Sequence, residues 1–142
     1  MSLNGVINTA AVRDEGTTIS YVPLAYPAVA DRHVVDALAR AAKKLGYNFA
    51  EGITHSKDAF YAEIEPDNMP NSDYVKSRWQ AWERSNVMCS EMEAAAIFIV
   101  SSIRNCRASA VMAYKKVNLQ AAMETAIEGL RILIEEDKKL ER

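Results

Sequence analysis

The stretch Cys89-Ser90-Glu91-Met92-Glu93-Ala94-Ala95-Ala96 holds the residue types best placed to do chemistry. Two carboxylates, Glu91 and Glu93, flank Met92, and small apolar residues follow at once. The pattern predicts a short strand passing into a buried helix, with the acids at the junction. The carboxyl end of a strand in an α/β sheet is where ligands usually sit, and carboxylates accept hydrogen bonds from sugar hydroxyls. The same residues have a structural reading. Ser90-x-x-Glu93 is a capping box that would satisfy orphan amides at a helix start, and acids in a first turn suit the helix dipole. On spacing alone the cap is favoured.

Other chemistries leave weaker signals. The five glycines are scattered at positions 5, 16, 46, 52 and 129, so there is no glycine-rich phosphate loop, dinucleotide fingerprint or nucleophile elbow. Cys89 has no basic neighbour in sequence to lower its pKa. His33 and His55 are the only histidines, and neither has a second ligand at metal-binding spacing, so no metal site is expected. Cys89 and Cys106 read as free thiols in buried segments, with a reducing cytoplasm as the default.

The 142 residues are 49% hydrophobic and 25% charged, enough for one domain with a real core. A formal net charge of −2 argues against a general nucleic-acid binder. No apolar run is long enough to span a bilayer, and Met1 to Asn8 lack the plan of a signal peptide.

The elements that must position the acids can be read in order. Val6 to Val12 is a strand, and Thr17 to Val22 reads as a second. Asp31 caps a helix whose stripe is Val34, Val35, Leu38, Ala41, Ala42 and Leu45, closed by Lys43, Lys44 and Gly46. Tyr47 to Thr54 alternates as a strand. His55 to Asn71 is a polar loop holding Phe60 and Tyr61. Ser72 caps a helix to about Arg84, with Val75, Trp79 and Trp82 as packing residues. Val87 to Cys89 is a short strand, and Met92 to Ile103 a helix apolar nearly all round. Arg107 to Ala113 is a strand. Asn118 caps a last helix with the stripe Leu119, Met123, Ala126, Ile127, Leu130 and Leu133. Alternation of this kind predicts a single α/β domain over residues 1–142, with helices on both faces of a mostly parallel or mixed sheet.

Five segments then carry a resemblance. Thr9 to Thr17, Pro23 to Asp31, Ser56 to Tyr61, Glu65 to Pro70 and Ser90 to Ala95 resemble, in order, stretches of the uridine phosphorylases, within the nucleoside phosphorylase superfamily. The resemblance implies a three-layer α/β/α fold, a truncated version of the family's, and reversible phosphorolysis of a nucleoside to base and ribose 1-phosphate. It implies a pentosyltransferase without metal or organic cofactor, with phosphate as co-substrate. Glu93 resembles the acid that grips the ribose hydroxyls, Met92 the residue packed beside sugar and base, and Glu91 the first acid of the same motif. Phe60 resembles the aromatic lining the nucleoside pocket.

The sequence departs from the family in three places. It resembles the family's carboxyl-terminal half, and the half bearing the phosphate-binding loop has no counterpart, so the isolated chain is expected to be inactive. Arg13 is read as structural. Glu63 and Asn68 stand where a base-reading glutamine and arginine are expected, so uracil specificity is not implied. The segment after Ala113 is shortened, and no aspartate lies between Asp73 and Asp137 to protonate a purine. The expected partners are a nucleoside or nucleobase and further copies of the chain, with no nucleic-acid polymer and no membrane. The alternative is a non-catalytic nucleoside-binding or oligomer-forming domain.

Overall fold

In the computed structural model, which describes residues 2–140, strand β1 (Gly5–Asp14) is the centre of a five-stranded mixed sheet. Along one edge it pairs in parallel with β3 (Phe49–Lys57), and β3 pairs in parallel with β4 (Val87–Glu91). Its other edge is shared. β5 (Ala110–Ala113) runs antiparallel to Gly5–Asn8, and β2 (Ala28–Val29) antiparallel to Ala10 and Ala11. The α/β class and mixed sheet agree with the expected phosphorylase-like fold.

The described residues form five α-helices around the sheet: α1 (Arg32–Leu45), α2 (Phe60–Ile64), α3 (Ser72–Arg84), α4 (Ala94–Ile103) and α5 (Leu119–Leu140). The start of α1 is set by Asp31, whose carboxylate accepts from the His33 and Val34 amides at 2.9 and 3.1 Å. Its end is set by Gly46, left-handed at φ 75°. The core joins Ile7 and Ala11 of β1 to Val35 and Leu38 of α1 and to Ala94, Ala95, Phe98 and Ile99 of α4. No helix among the described residues is long and apolar enough to cross a membrane.

Several expectations are corrected. Thr17 to Val22 is not a strand but a tight turn with a 3-10 segment at Thr18–Ser20. The Glu15 carboxylate accepts from the Thr18 amide at 2.9 Å and from the Thr18 hydroxyl, and Arg13 Nε donates to Thr18 Oγ1, while the Arg13 guanidinium donates to the carbonyls of Val22, Pro23, Leu24 and Tyr26 that follow the turn. β3 runs three residues beyond Thr54, because His55 to Lys57 pair with β1 on one side and, through Ser56, with β4 on the other. Ser72 is the first residue of α3 rather than its cap. The Asn118 side chain bonds Asn4 and the Tyr114 carbonyl instead of capping α5. Cys106 is exposed and Cys89 only partly buried. On α4 one face alone is buried, and Ile97 and Ile103 face outward.

The largest correction concerns α5. It turns Ala121, Ala122, Thr125, Glu128, Gly129 and Leu133 inward and leaves Leu119, Met123, Ile127 and Leu130 outside. Small residues explain this: a Cβ on Gly129 would lie 2.9 Å from Leu38 Cδ2, so the bare glycine lets α1 and α5 approach closely.

Candidate functional site

The three parallel strands end together, and pairing puts Arg13, Ser56 and Glu91 in one row across them. A register shift between Ile53 and Thr54 skips Met88 and brings Cys89 to Glu91 beside Thr54 to Ser56. The bulged Met88 carbonyl accepts the Tyr114 hydroxyl at 3.1 Å. Strand alternation then divides the side chains into two sets, Thr54 and Ser56 on one face of β3, His55 and Lys57 on the other.

On the first face Glu91 is the organising group. One carboxylate oxygen accepts from Thr54 Oγ1 at 3.2 Å and Ser56 Oγ at 2.5 Å. The other accepts from the backbone amides of Glu93 and Ala94 at 2.6 and 2.5 Å. Ser56 Oγ in turn accepts the Ala95 amide at 2.9 Å. Glu91 and Ser56 therefore do the capping that spacing assigned to Ser90 and Glu93. Three orphan donors of α4 are met, and acid density sits at the positive end of the helix.

Glu93 is left with a different character. It occupies the N-cap position without a side-chain bond to the helix. Its carboxylate is exposed and, among the described residues, accepts only from the Met92 amide, at 3.0 Å. Met92 beside it is 39% exposed.

The second face carries a buried polar network. His55 Nε2 lies 2.9 Å from Asp14 Oδ2, and Asp14 is also bound by the Arg78 guanidinium. Burial pulls the Arg78 pKa down, but the Asp14 charge more than offsets it, so Arg78 stays firmly cationic. Ser90 Oγ is 3.3 Å from His55 Nδ1 and accepts from Lys57 Nζ at 3.0 Å. Lys57 lies 3.3 Å from Glu63 Oε2 and 5.4 Å from the centre of the Trp79 ring. Trp79 and Trp82 pack on the His55 ring at 6.0 and 5.7 Å, the packing role their spacing predicts. Burial pushes the Cys89 thiol pKa up, which keeps it protonated and a poor nucleophile.

The remaining candidates fall around this network. Phe60 opens α2, half-exposed, edge-on to Tyr61 at 5.4 Å and facing Lys57 Nζ at 5.9 Å. Glu63 points inward, its Oε2 toward Lys57 and, at 3.8 Å, His55 Nδ1. Asn68 sits apart in the 3-10 segment Pro66–Asn68, its amide donating to Glu65 at 3.4 Å. Lys57 and Ser90 thus tie the α2 candidates to the 91–93 junction, while Asn68 stays outside.

Sequence reasoning passed over Asp14, His55, Lys57 and Arg78. Their signal was the unbroken alternation of Thr54-His55-Ser56-Lys57, readable as strand rather than loop. One ligand atom each from Asp14, His55 and Glu63 lie within 4.8 Å of one another, a grouping invisible in linear spacing. Arg78 and Lys57 already neutralise both acids, so these residues serve as an ion-pair network more readily than as a cation site.

Comparisons with known proteins agree with this geometry. A profile described as the phosphorylase superfamily matches residues 4–134. The chain is 36% identical over 146 residues to the uridine phosphorylase of Treponema pallidum, covering 93% of this chain and 57% of that protein. It is 36% identical over 148 residues to that of Thermococcus kodakarensis, covering 96% and 53%. It is 29% identical over 145 residues to that of Escherichia coli, covering 95% and 57%. The chain thus spans about half the length of the curated relatives it matches. A profile match over nearly all the described residues, on an α/β fold with acids at a strand–helix junction, places this chain in the phosphorylase superfamily.

Proposed function

We propose that this chain carries the sugar-holding part of a uridine-phosphorylase-type site. Glu93 is the acid that accepts hydrogen bonds from the ribose hydroxyls, with Met92 beside the sugar and Phe60 along the nucleoside. The observation that supports this most is the freedom of Glu93. Glu91 and Ser56 take the first amides of α4, so the exposed Glu93 carboxylate is not needed by its own helix. Charge-assisted bonds from two hydroxyls would orient the sugar for displacement at its anomeric carbon.

In the complete reaction a phosphate oxygen forms the new bond to that carbon. The glycosidic C–N bond breaks, and its electron pair leaves with the base, which takes up a proton. Phosphate is co-substrate, and no organic cofactor or metal takes part. The cations at this end of the sheet are committed: Arg13 to backbone carbonyls, Arg78 to Asp14, Lys57 to Ser90 and Glu63. Phosphate must then be held by groups outside this network, and the chain by itself binds nucleoside without turnover. The alternative is a nucleoside-binding domain with no catalytic role, acting in the cytoplasm as the enzyme reading also supposes.

Calorimetric titration with uridine separates Glu93 as ligand from Glu93 as scaffold. The expected result is binding that weakens about tenfold or more in Glu93→Gln, from the loss of a charged acceptor, with the melting temperature unchanged. Equal affinity in both proteins, or no binding by well-folded wild type, would overturn the proposal.

A further inference from the structure

Register and alternation bring Asp14 of β1, His55 of β3 and Ser90 of β4 to one face of the sheet, opposite the Glu91 cap. Ser90 Oγ lies 3.3 Å from His55 Nδ1, and His55 Nε2 lies 2.9 Å from Asp14 Oδ2. A hydroxyl, an imidazole and a carboxylate in a row are the parts of a nucleophile, its base and the group that orients the base. Such a set is recognised by geometry and roles, not by order in the chain. The Asp14 carboxylate, bound by Arg78 Nε and Nη2, only accepts, so the imidazole proton belongs on Nε2 and Nδ1 is left to accept from Ser90. Lys57 Nζ donates to Ser90 Oγ at 3.0 Å, a cation placed where negative charge builds as the serine proton leaves. Glu63 Oε2 stands 3.8 Å from Nδ1, so an imidazolium formed there lies between two carboxylates.

The same serine and histidine line a cavity of about 150 Å³. Trp79, Trp82, Val87 and Met88 are among its walls and suit an apolar guest. A space of this size holds a molecule about as large as benzene. Trp82 Nε1 is buried and, among the described residues, has no hydrogen-bond partner. A buried donor without an acceptor is costly, and this one suits the carbonyl oxygen of an ester in the cavity, where charge builds during attack. An ion-pair network alone explains the contacts of Arg78 with Asp14 and of Lys57 with Glu63. It explains neither the cavity beside Ser90 nor the orphaned indole donor.

We propose that Ser90, His55 and Asp14 form an acyl-transfer site that hydrolyses esters of short-chain carboxylic acids. Ser90 Oγ forms a bond to the carbonyl carbon, and its proton passes to His55 Nδ1. The bond from that carbon to the alcohol oxygen breaks, and the alcohol leaves with the proton from His55. Water then gives a proton to His55 while its oxygen attacks the acylated serine. The acid departs, and Ser90 recovers its proton from His55. Asp14 is a positioning residue that holds the imidazole in the required tautomer. None of the three contacts the nucleoside in the reading above, so the two proposals stand or fall separately.

The test uses the full chain, p-nitrophenyl acetate and no nucleoside. The expected result is release of p-nitrophenol above the buffer rate, with an acetyl group trapped on Ser90 in acid-quenched protein and located by peptide mass mapping. Ser90→Ala, checked for folding by its melting curve, should lose both; if it does not fold, the acetyl map of wild type decides alone. Asp14→Asn, whose amide can donate to Nε2 and so select the wrong tautomer, should lower kcat about a hundredfold or more at unchanged KM. p-Nitrophenyl octanoate, too long for the cavity, should turn over at least about tenfold more slowly than the acetate. No release by folded wild type, acetyl groups on other side chains only, or equal release by Ser90→Ala overturns the proposal. So does an unchanged kcat in Asp14→Asn, or equal turnover of the two esters.

Discussion

Removing the Glu91 carboxylate should cost more than removing that of Glu93. Glu91 satisfies two side-chain hydroxyls and two helix amides, so Glu91→Ala leaves the Glu93 and Ala94 amides unmet at a partly buried junction, with Ser56 alone still capping α4. We expect a loss of about 1–3 kcal/mol in urea unfolding, and Glu93→Ala within about 0.5 kcal/mol of wild type, as for surface changes away from structural features. The reverse order would make Glu93 the cap after all. Thiol labelling at pH 7 should modify the exposed Cys106 promptly and the half-buried Cys89 slowly, because burial raises the Cys89 pKa; equal rates would contradict this. At this scale the sequence located the acids but assigned capping to the wrong pair. The roles of Glu91 and Ser56 depend on pairing between residues 35 apart, which no local spacing encodes.

Elements were legible where their signals are local. Asp31 and Gly46 bound α1 as read, because a cap and a left-handed terminus need only neighbouring atoms. β3 was cut short because His55 to Lys57 look polar, although pairing on both sides buries them. The α5 stripe was found as a periodic pattern, yet of its residues Leu133 alone is buried, since periodicity says that a face wants covering and not what covers it. Two measurements belong here. A Cβ on Gly5 would stand 1.8 Å from the Met112 carbonyl oxygen, a backbone atom that cannot swing away. Gly5→Ala should therefore part β5 from β1 and cost about 1–3 kcal/mol, as overpacking does; unchanged stability would show that the pairing is loose. Between α1 and α5, the Lys44 hydrogen bond holds the Glu128 carboxyl below its usual pKa, against the opposing effect of burial. A depressed folded pKa gives stability that is present above the unfolded value, about 4.3, and lost as pH falls through the folded one. Wild type should melt above Glu128→Gln at pH 7, and the gap should close as pH falls below about 4. A gap that widens in acid would mean that Glu128 is stabilised in its neutral form.

At the scale of the molecule, the family was legible because five segments in order outweigh any single motif, and the profile match over residues 4–134 agrees. The α/β class followed from alternating periodicities. The polar network of Asp14, His55, Lys57, Ser90 and Arg78 was not legible, because it joins three strands and a helix distant in sequence. This network links the strand ends, and the first amides of α4 bond the 91–93 turn and Ser56 on the other face of the sheet. The 91–93 junction is thus bonded on its scaffold side, with Glu93 left exposed, as the proposed site requires. The uridine titration of wild type against Glu93→Gln tests that most directly. Binding that weakens at least about tenfold at unchanged melting temperature is the predicted result; identical affinities, or no binding by folded wild type, would contradict it.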